Sequence, residues 1–360
     1  MKGAKETVFV GLSGGVDSSV AALRLVREGY RAVGVFIKVW QPEFLHCDWE
    51  QERFSAMRVC AHLEIPFLTC DAEERYKTEV ADYLVSEYRA GRTPNPDVMC
   101  NKHIKFGAFL DFAEARGAEY IATGHYARRA AGSASAAAGI LRGVDTAKDQ
   151  SYFLWTLTAE QLSRTLFPIG DSLKSQVRAE AKRAGLPTAE KPDSQGICFL
   201  GELNMKEFLR HFIASERGSV EDTNGRVVGE HDGAQFYTIG ERHGFRLQQE
   251  SPNAQPYYIV ATDLARNALI VSHEKPVLAS GAARSLALSE TNWIGRPPQG
   301  RVSAQTRYRQ KPVLASVEIT GAPPGGVAPV EPLETPALGQ SCVVYNNEKC
   351  LGGGIIHAVS

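Results

Sequence analysis

The chain has 360 residues, more than one ordinary hydrophobic core serves, so two or three domains are expected. Hydrophobic content is 43% and charged content 22%, the balance of a soluble globular protein, and no apolar stretch approaches the ~20 residues of a membrane span. The formal net charge of −1 gives no global sign of a nucleic-acid partner, so any such surface must be a local patch.

The short polar lead over residues 1–7 lacks the apolar core of a signal peptide and the Arg-rich stretch of a transit peptide, which leads us to expect a cytoplasmic protein. The apolar run at 8–12 reads as a strand entering SGGVDSS, and 20–30 has helical spacing. A second buried strand is expected at 32–40, a helix at 52–65, a strand at 66–72 and a helix at 76–91. A further helix at 105–118 and a strand at 119–126 follow. Such repeated strand–helix units imply an α/β domain, a doubly wound parallel sheet with helices on both faces. Ligands of such sheets bind at the carboxyl ends of the strands, where Ser13–Ser19, Lys38 and Gly124–His125 fall.

The small-residue stretch 130–139 reads as a surface excursion, and helical patterns dominate 151–190. From about 219 short alternating strands with Gly and Asn turns take over, and a second β-rich set runs from about 280 to the end. The expected organisation is an α/β domain over 1–200, a small central β-rich domain over 201–280 and a β-barrel-like domain over 281–360.

Seven cysteines, an odd number in a long chain, speak against a secreted disulfide scaffold. None forms a C-x-x-C pair, which speaks against a zinc ribbon or a cysteine-ligated iron–sulfur cluster.

The strongest local signal is Gly11, Leu12, Ser13, Gly14, Gly15, Val16, Asp17, Ser18 and Ser19, placed after a strand and opening a helix. Glycines allow close backbone approach to an anion, and the N–H groups and dipole of a helix start favour phosphate. The Walker A pattern is absent. The string instead resembles the pyrophosphate loop (PP-loop) of enzymes that split ATP into AMP and pyrophosphate. There the loop holds pyrophosphate, and the residue matching Asp17 supports magnesium or phosphate geometry.

A second segment, Gly91 to Lys102, places Asp97 and Cys100 three residues apart beside Asn95 and Asn101, between two prolines. Lys102 or Lys105 could favour a thiolate at Cys100, yet spacing alone allows a plain proline loop with a half-buried Cys equally well. In the third segment, Asp193 to Gly201, Cys198 taken alone reads more simply as an ordinary buried cysteine. Paired with Cys100, it becomes a candidate for a transient disulfide.

Together GLSGGVDSS, AGRTPNPDVMCNKHIKFGAFL, YIATGHYAR, LRGVDTAKDQSYFLWTL, DSQGICFLG, TRYRQ and LGGGII are similar to the tRNA-specific 2-thiouridylase family, in the same order from about residue 8 to 357. The resemblance implies the following. ATP and its magnesium lie over Gly11–Ser18, with adenosine near Ile37 and Gly124, and ATP adenylates the C2 oxygen of the wobble uridine of tRNA. Cys198 carries a persulfide received from a sulfur-relay protein or cysteine desulfurase. Cys100 closes a disulfide with Cys198 or forms the covalent adduct, and Asp97 is the general acid/base. Asn95, Pro96, Asp97, His125, Lys148, Asp149, Gln150, Arg307, Tyr308 and Gln340 match tRNA-contact positions, the acceptors expected being those for Lys, Glu and Gln. Arg301, Arg307, Arg309 and Lys311 with Tyr308 are expected to form a basic strand facing RNA backbone. The chain departs from the family at Val39, where Asn often follows the lysine, and in the Ala-rich stretch 130–139. Two rival classes are a PP-loop amidotransferase or ligase, which needs no paired cysteines, and a tRNA-binding or sulfur-carrier module without catalysis.

Overall fold

The structure is a computed structural model that describes residues 5–44, 49–130, 138–193, 205–248, 255–278, 285–318 and 326–359. Its first sheet contains β1 (Lys5–Gly11), β2 (Tyr30–Lys38), β3 (Phe67–Asp71) and β4 (Tyr120–Ala122). The hairpin β5 (Ala127–Ala130) and β6 (Gly139–Arg142) leaves the sheet, and β7 (Thr165–Leu166) returns to it. The order is β3-β2-β1-β4-β7, with every pairing parallel. The strand expected over 119–126 is three residues long, because Gly124 and His125 turn away to form the site described below.

Layers cover both faces of this sheet, as alternation along β1 requires. Val8 and Val10 pack with Ala22 and Leu25 of α1 (Val16–Arg27) and with Ala56 and Val59 of α2 (Trp49–His62). Phe9, pointing the other way, joins Tyr76, Leu84, Phe106 and Phe109. These come from two long helical runs, α3 over 73–89 and α4 over 96–114. Both contain a wider-wound stretch, Lys77–Asp82 in α3 and Cys100–Ala108 in α4. After them come α5 (Ala159–Ser163) and α6 (Lys174–Arg183), which packs its Val177 and Ala181 with Val20 of α1. The expected loop around Cys100 is therefore helical. Asn95 caps α4 by accepting hydrogen bonds from the backbone N–H of Asp97 and Val98 at 3.2 Å each, and Pro96 occupies the first turn, where its missing N–H costs nothing.

After α7 (Met205–Arg210), a central sheet contains β8 (Gly218–Asp222), β9 (Val227–His231), β10 (Arg246–Leu247), β11 (Tyr258–Asp263) and β12 (Ala268–Ser272) in the order β10-β9-β8-β12-β11. The remaining strands are β13 (Val277–Leu278), β14 (Leu286–Trp293), β15 (Gly300–Gln305), β16 (Val313–Glu318), β17 (Gly326–Pro329), β18 (Leu333–Glu334), β19 (Ser341–Asn346) and β20 (Lys349–Val359). Strands β14-β17-β16-β15-β19-β20 pair in sequence and β20 pairs back to β14, which closes a six-stranded barrel without edges. Gly352 on β20 has φ of +124°, and a Cβ there would lie 2.0 Å from Asn292 O, so only glycine fits this crossing with β14.

The hairpin β5–β6 is appended to the barrel, Cys350 pairing with Ile140 and Lys349 with Leu141. Strand order in the sequence did not announce this. One apolar cluster accordingly runs from Phe9 and Phe109 through Trp155 to Phe208 and Val271 of the central region and Tyr345 of the barrel.

The expected basic strand stops short. β15 ends at Gln305, and residues 306–310 turn, with Arg309 at φ +62°. The Gln310 side chain makes the turn by accepting from Thr306 N, Thr306 Oγ1 and Arg307 N at 3.1, 2.9 and 3.1 Å.

Candidate active site

The loop between β1 and α1 is shaped by its glycines. Gly14 has φ of +75°, and a Cβ on it would lie 2.6 Å from Glu52 O. Gly15 stands at the N-cap of α1 with no side-chain cap, so the first-turn N–H groups keep their pull on an anion. Within the loop Ser18 Oγ accepts from Ser13 N at 3.3 Å, and Ser19 Oγ donates to Gly15 O at 2.7 Å. From the neighbouring strand end, Gly124 presses on this first turn: a Cβ there would lie 2.6 Å from Ser18 N. Any side chain at 124 would push the loop open. Ile37, at the end of β2, reaches Gly11, where a Cβ would lie 3.7 Å from Ile37 Cδ1.

Asp17 is the charged centre of the loop. Lys174 Nζ donates to both its oxygens at 2.8 Å, and the Tyr126 hydroxyl donates to Oδ1 at 2.9 Å. Lys174 also meets Asp193 Oδ1 at 2.8 Å, and Asp193 receives Lys148 at 2.9 Å and Arg178 at 2.5 Å. Burial works against ionising Asp193, but hydrogen bonds from Lys174 and Lys148 outweigh it and hold the carboxyl well below its usual range. Asp145 joins them, accepting from Lys174 N at 2.8 Å, so three cations and three carboxylates gather beside a phosphate-type loop. Lys191 closes the other flank, pairing with Glu52 at 2.7 and 2.8 Å.

α4 brings Asp97 and Cys100 to this region. Its Phe109 lies against Gly11, with Cε1 3.4 Å from where a Cβ would be, and its Phe106 ring centroid is 5.8 Å from that of His125. Cys100 is a buried thiol in the first turns of the helix rather than a half-buried cysteine in a proline loop. Burial raises the Asp97 carboxyl above its ordinary value, with Lys105 opposing. His125 is buried, its Nδ1 2.8 Å from Thr123 Oγ1, and burial first, then Lys105, keep the imidazole neutral. A carboxyl raised by burial, a thiol and a neutral imidazole, carried on elements packed against an anion-binding loop, are the group types that proton transfer and nucleophilic chemistry on an activated group require.

Cys198 lies outside the described residues, so its approach to Cys100 is not part of this geometry.

Other expected contact residues are committed to internal work. Asp149 is buried and accepts from Gly143 N, Ser151 N, Ser151 Oγ and Arg142 Nη1 at 2.8–3.1 Å. Gln150 Oε1 accepts from Tyr126 N at 3.0 Å. Arg307 Nη2 donates to Ile239 O at 2.8 Å, tying the barrel to the central region, and Tyr308 packs on Phe153 with centroids 4.4 Å apart. Gln340 Nε2 donates to Thr93 O at 2.7 Å. A groove lined by Arg307–Lys311, Val313 and Pro332–Glu334 lies at this end of the barrel. Among the described residues no group of three or more His, Cys, Asp or Glu is placed to hold a metal ion.

The chain matches three family models, described as the tRNA methyl transferase HUP domain over residues 6–202, the tRNA methyl transferase PRC-barrel domain over 206–273 and the aminomethyltransferase beta-barrel domain over 283–356. It is 43% identical, over 98% of its length and 94% of the relative's, to the tRNA-specific 2-thiouridylase MnmA of Lysinibacillus sphaericus. The chain belongs to the tRNA-specific 2-thiouridylase family. Its similarity to the 2-thiouridylase of Bacillus licheniformis is 44%, over 98% of this chain and 95% of that one. Among solved structures, the U34-tRNA thiolase NcsA from Methanococcus maripaludis superposes with a TM-score of 0.36 at 16% identity, covering 54% of this chain and 61% of that one.

Sequence reasoning passed over several groups that the structure of this 2-thiouridylase-family chain brings to Asp17 and Asp193. Lys174, Lys148 as a partner of Asp193, and Tyr126 as a donor to Asp17 come from segments far apart in sequence. The one available signal was Lys174 at the start of α6, within the helical stretch expected over 151–190, where lysine opposes the dipole and so needs another reason to be there.

Proposed function

We propose that this chain thiolates C2 of the wobble uridine of tRNA, using ATP and a cysteine persulfide and releasing AMP and pyrophosphate. The observation that carries the reading is the joint placement of two parts: an uncapped, glycine-shaped loop at Gly11–Ser18, and, packed against it through Phe109, the helix bearing Asp97 and Cys100. ATP with Mg2+ is taken over Gly11, Leu12, Ser13, Gly14, Gly15, Val16, Asp17 and Ser18, with the adenosine beside Ile37 and Gly124. The close approach at Gly124 and the uncapped first turn of α1, with Lys174 at Asp17, suit a polyphosphate.

The chemistry divides into activation and transfer. The C2 oxygen attacks the α-phosphorus and pyrophosphate leaves; an unactivated carbonyl oxygen would not leave C2. The terminal sulfur of a Cys198 persulfide then attacks C2 and expels AMP. Cys100 attacks Cys198 sulfur, forming a Cys100–Cys198 disulfide and leaving sulfur on the base, and a cellular thiol reductant restores both thiols. Asp97, whose carboxyl burial raises above its ordinary range, holds a proton more readily than an exposed aspartate and is the proposed general acid/base. Base chemistry at C2 requires the nucleotide unstacked, with Asn95, Pro96, Asp97 and His125 around it. The tRNA body is taken by Lys148, Gln150, Arg307, Tyr308 and Gln340, with the Lys, Glu and Gln acceptors as expected substrates; Asp149, buried with four internal donors, supports this surface from beneath. The sulfur source is a relay protein or cysteine desulfurase, and the compartment the cytoplasm. We assign 1–200 to catalysis, 201–280 to a central domain and 281–360 to a tRNA-contacting barrel.

The test is incorporation of labelled sulfur from a protein persulfide donor into unmodified tRNA, followed by nucleoside mass spectrometry. The expected product is 2-thiouridine with AMP, lost in Cys198→Ser and in Cys100→Ser, the former losing label on the enzyme and the latter keeping it. Cleavage of ATP without sulfur in tRNA, or a normal rate in Cys198→Ser, overturns the reading.

A further inference from the structure

We infer that Thr93 is a positioning residue through which the central sheet and the barrel together hold the Asp97–Cys100 helix at its working geometry; the inference rests on the thiolation reading above. All three polar atoms of Thr93 are engaged from outside the catalytic sheet. Its N–H donates to Leu338 O at 2.7 Å, and its carbonyl oxygen accepts from Gln340 Nε2 at 2.7 Å, both at the entrance to β19 of the barrel. Its hydroxyl lies 3.0 Å from the Thr238 hydroxyl in the central region. Glycines make room for these contacts. A Cβ on Gly339, whose φ is +88°, would lie 3.1 Å from Thr93 N and C. One on Gly91 would lie 2.4 Å from Leu264 Cδ1 of the central region.

The chain between this anchor and the site is short and stiff. Thr93 is followed by Pro94, Asn95 and Pro96, and each proline fixes its own φ and restrains the residue before it. Asn95 is the N-cap whose side chain and carbonyl oxygen set the first turn of α4; Asp97 stands in that turn and Cys100 directly after it. A displacement at Thr93 therefore reaches Asp97 and Cys100 with little flexible backbone to absorb it. Two domains that supply neither the loop nor the cysteines thereby gain a hand in the chemistry. The Thr93–Thr238 pair is the part of this anchor that belongs to the central domain, and neither hydroxyl is assigned to nucleotide or base in the proposed reaction.

The experiment uses the full chain with tRNA, ATP and persulfide donor, comparing Thr93→Val, Thr238→Val, the double variant and Thr93→Ser. Small misplacement of reacting groups carries large rate costs, so each valine variant is expected to lower single-turnover kcat about tenfold while ATP KM stays within about twofold. The double variant should match either single one, since both remove one contact, and Thr93→Ser should restore the rate. Backbone amide exchange at 97–101 should quicken in Thr238→Val, a readout independent of turnover. Unchanged kcat in both valine variants, losses that multiply in the double variant, or unchanged amide exchange in Thr238→Val overturns the inference. A wild-type enzyme that transfers no sulfur to tRNA overturns the thiolation reading instead, and the exchange measurement still decides the role of Thr93.

Discussion

Two blocks of this chain look alike as strings and behave differently as structure. The loop Gly11–Ser19 and the block 146–157 are both dense in polar residues beside apolar runs, and both carry the family resemblance. In the loop, Ser13 and Ser18 close on each other, Asp17 is held from outside by Lys174 and Tyr126, and α1 begins without a side-chain cap, so its first-turn N–H groups are kept for a ligand. In 146–157 that capacity is spent inside the protein, by Asp149 on its own turn and by Tyr152, Trp155 and Leu157 on joining domains. Asp149 has four donors, Tyr152 donates to Ser341 O at 2.9 Å, Trp155 Nε1 donates to Ser341 Oγ at 3.0 Å, and Asn292 donates to the carbonyls of Trp155 and Leu157 at 2.7 and 3.1 Å. A recognisable motif can therefore mark either a site or the joint that holds one, and only the accounting of donors and acceptors separates the two.

Substitutions in the two blocks should accordingly fail in different ways. Asp17→Ala is expected to lower tRNA thiolation by at least about 10²-fold, the scale of losing one preorganised polar group at a reacting phosphate. Its circular dichroism and melting should stay near wild type, because Lys174 keeps Asp193 as a partner. Near-normal turnover by a folded Asp17→Ala protein would remove the contrast. Asp149→Ala should do the opposite. It strands the buried Gly143 and Ser151 N–H groups and the Arg142 guanidinium, and breaking a buried pair costs about 3 kcal/mol. Urea unfolding should show this loss while ATP affinity is kept. A stability change below about 1 kcal/mol would mean that the joint is less important than its hydrogen bonds suggest.

Much of the catalytic half was legible because its signals are local. Alternation along β1, the glycines of the loop and the helical spacing of α1 are each settled within ten or so residues, and they found the sheet and its ligand end. What escaped depends on distant partners. Nothing in the run from Ala127 to Arg142 says that its hairpin will extend β20, since either edge of a hairpin can pair with any open strand. Cys100 was expected in a loop because prolines usually interrupt helices; here Pro96 starts one, with Asn95 as its cap. The basic string around Arg307 was expected to be a strand, yet the Gln310 side chain folds it into a turn that no alternation pattern encodes. The Lys174–Asp17–Asp193 cluster needs three segments to meet, and sequence separation hides such a meeting.

His125 stands between the two blocks and gives a pH test of how dry this junction is. Burial, with Lys105 adding to it, lowers its pKa well below the ordinary 6.5. In the unfolded chain the imidazole takes up its proton as pH falls through about 6.5, and in the folded chain only at much lower pH. Between those points the unfolded state binds more protons, so stability rises with pH there and is lost as pH falls below about 6.5. The contribution is up to about 1.4 kcal/mol for each pH unit in that window. Unfolding free energies measured at several pH values from neutrality downward should show this slope, and His125→Gln should remove its part of it. An unchanged slope in His125→Gln would mean that water reaches the ring and the site is open at that edge.

The smallest expected effect concerns the far end of the joint, where Arg307 has two possible employers. Its guanidinium donates to Ile239 O at 2.8 Å and passes 3.9 Å from Glu334, and it lines the groove with Arg309 and Lys311. Among the described residues one carbonyl hydrogen bond and one long ion pair engage this five-donor fork, and the turn made by Gln310 presents Arg307 and Arg309 within three residues of each other. A guanidinium used only as a domain tie would lower the melting temperature on removal and leave the ionic-strength response of tRNA binding alone. A phosphate contact releases counterions, so its loss reduces the slope of log affinity against log salt by about one. We expect Arg307→Ala to weaken tRNA binding severalfold at low salt with that reduction in slope, and to leave ATP binding unchanged. Titrations at several salt concentrations decide it, and an unchanged slope together with a lower melting temperature would move Arg307 wholly into the joint, beside Asp149.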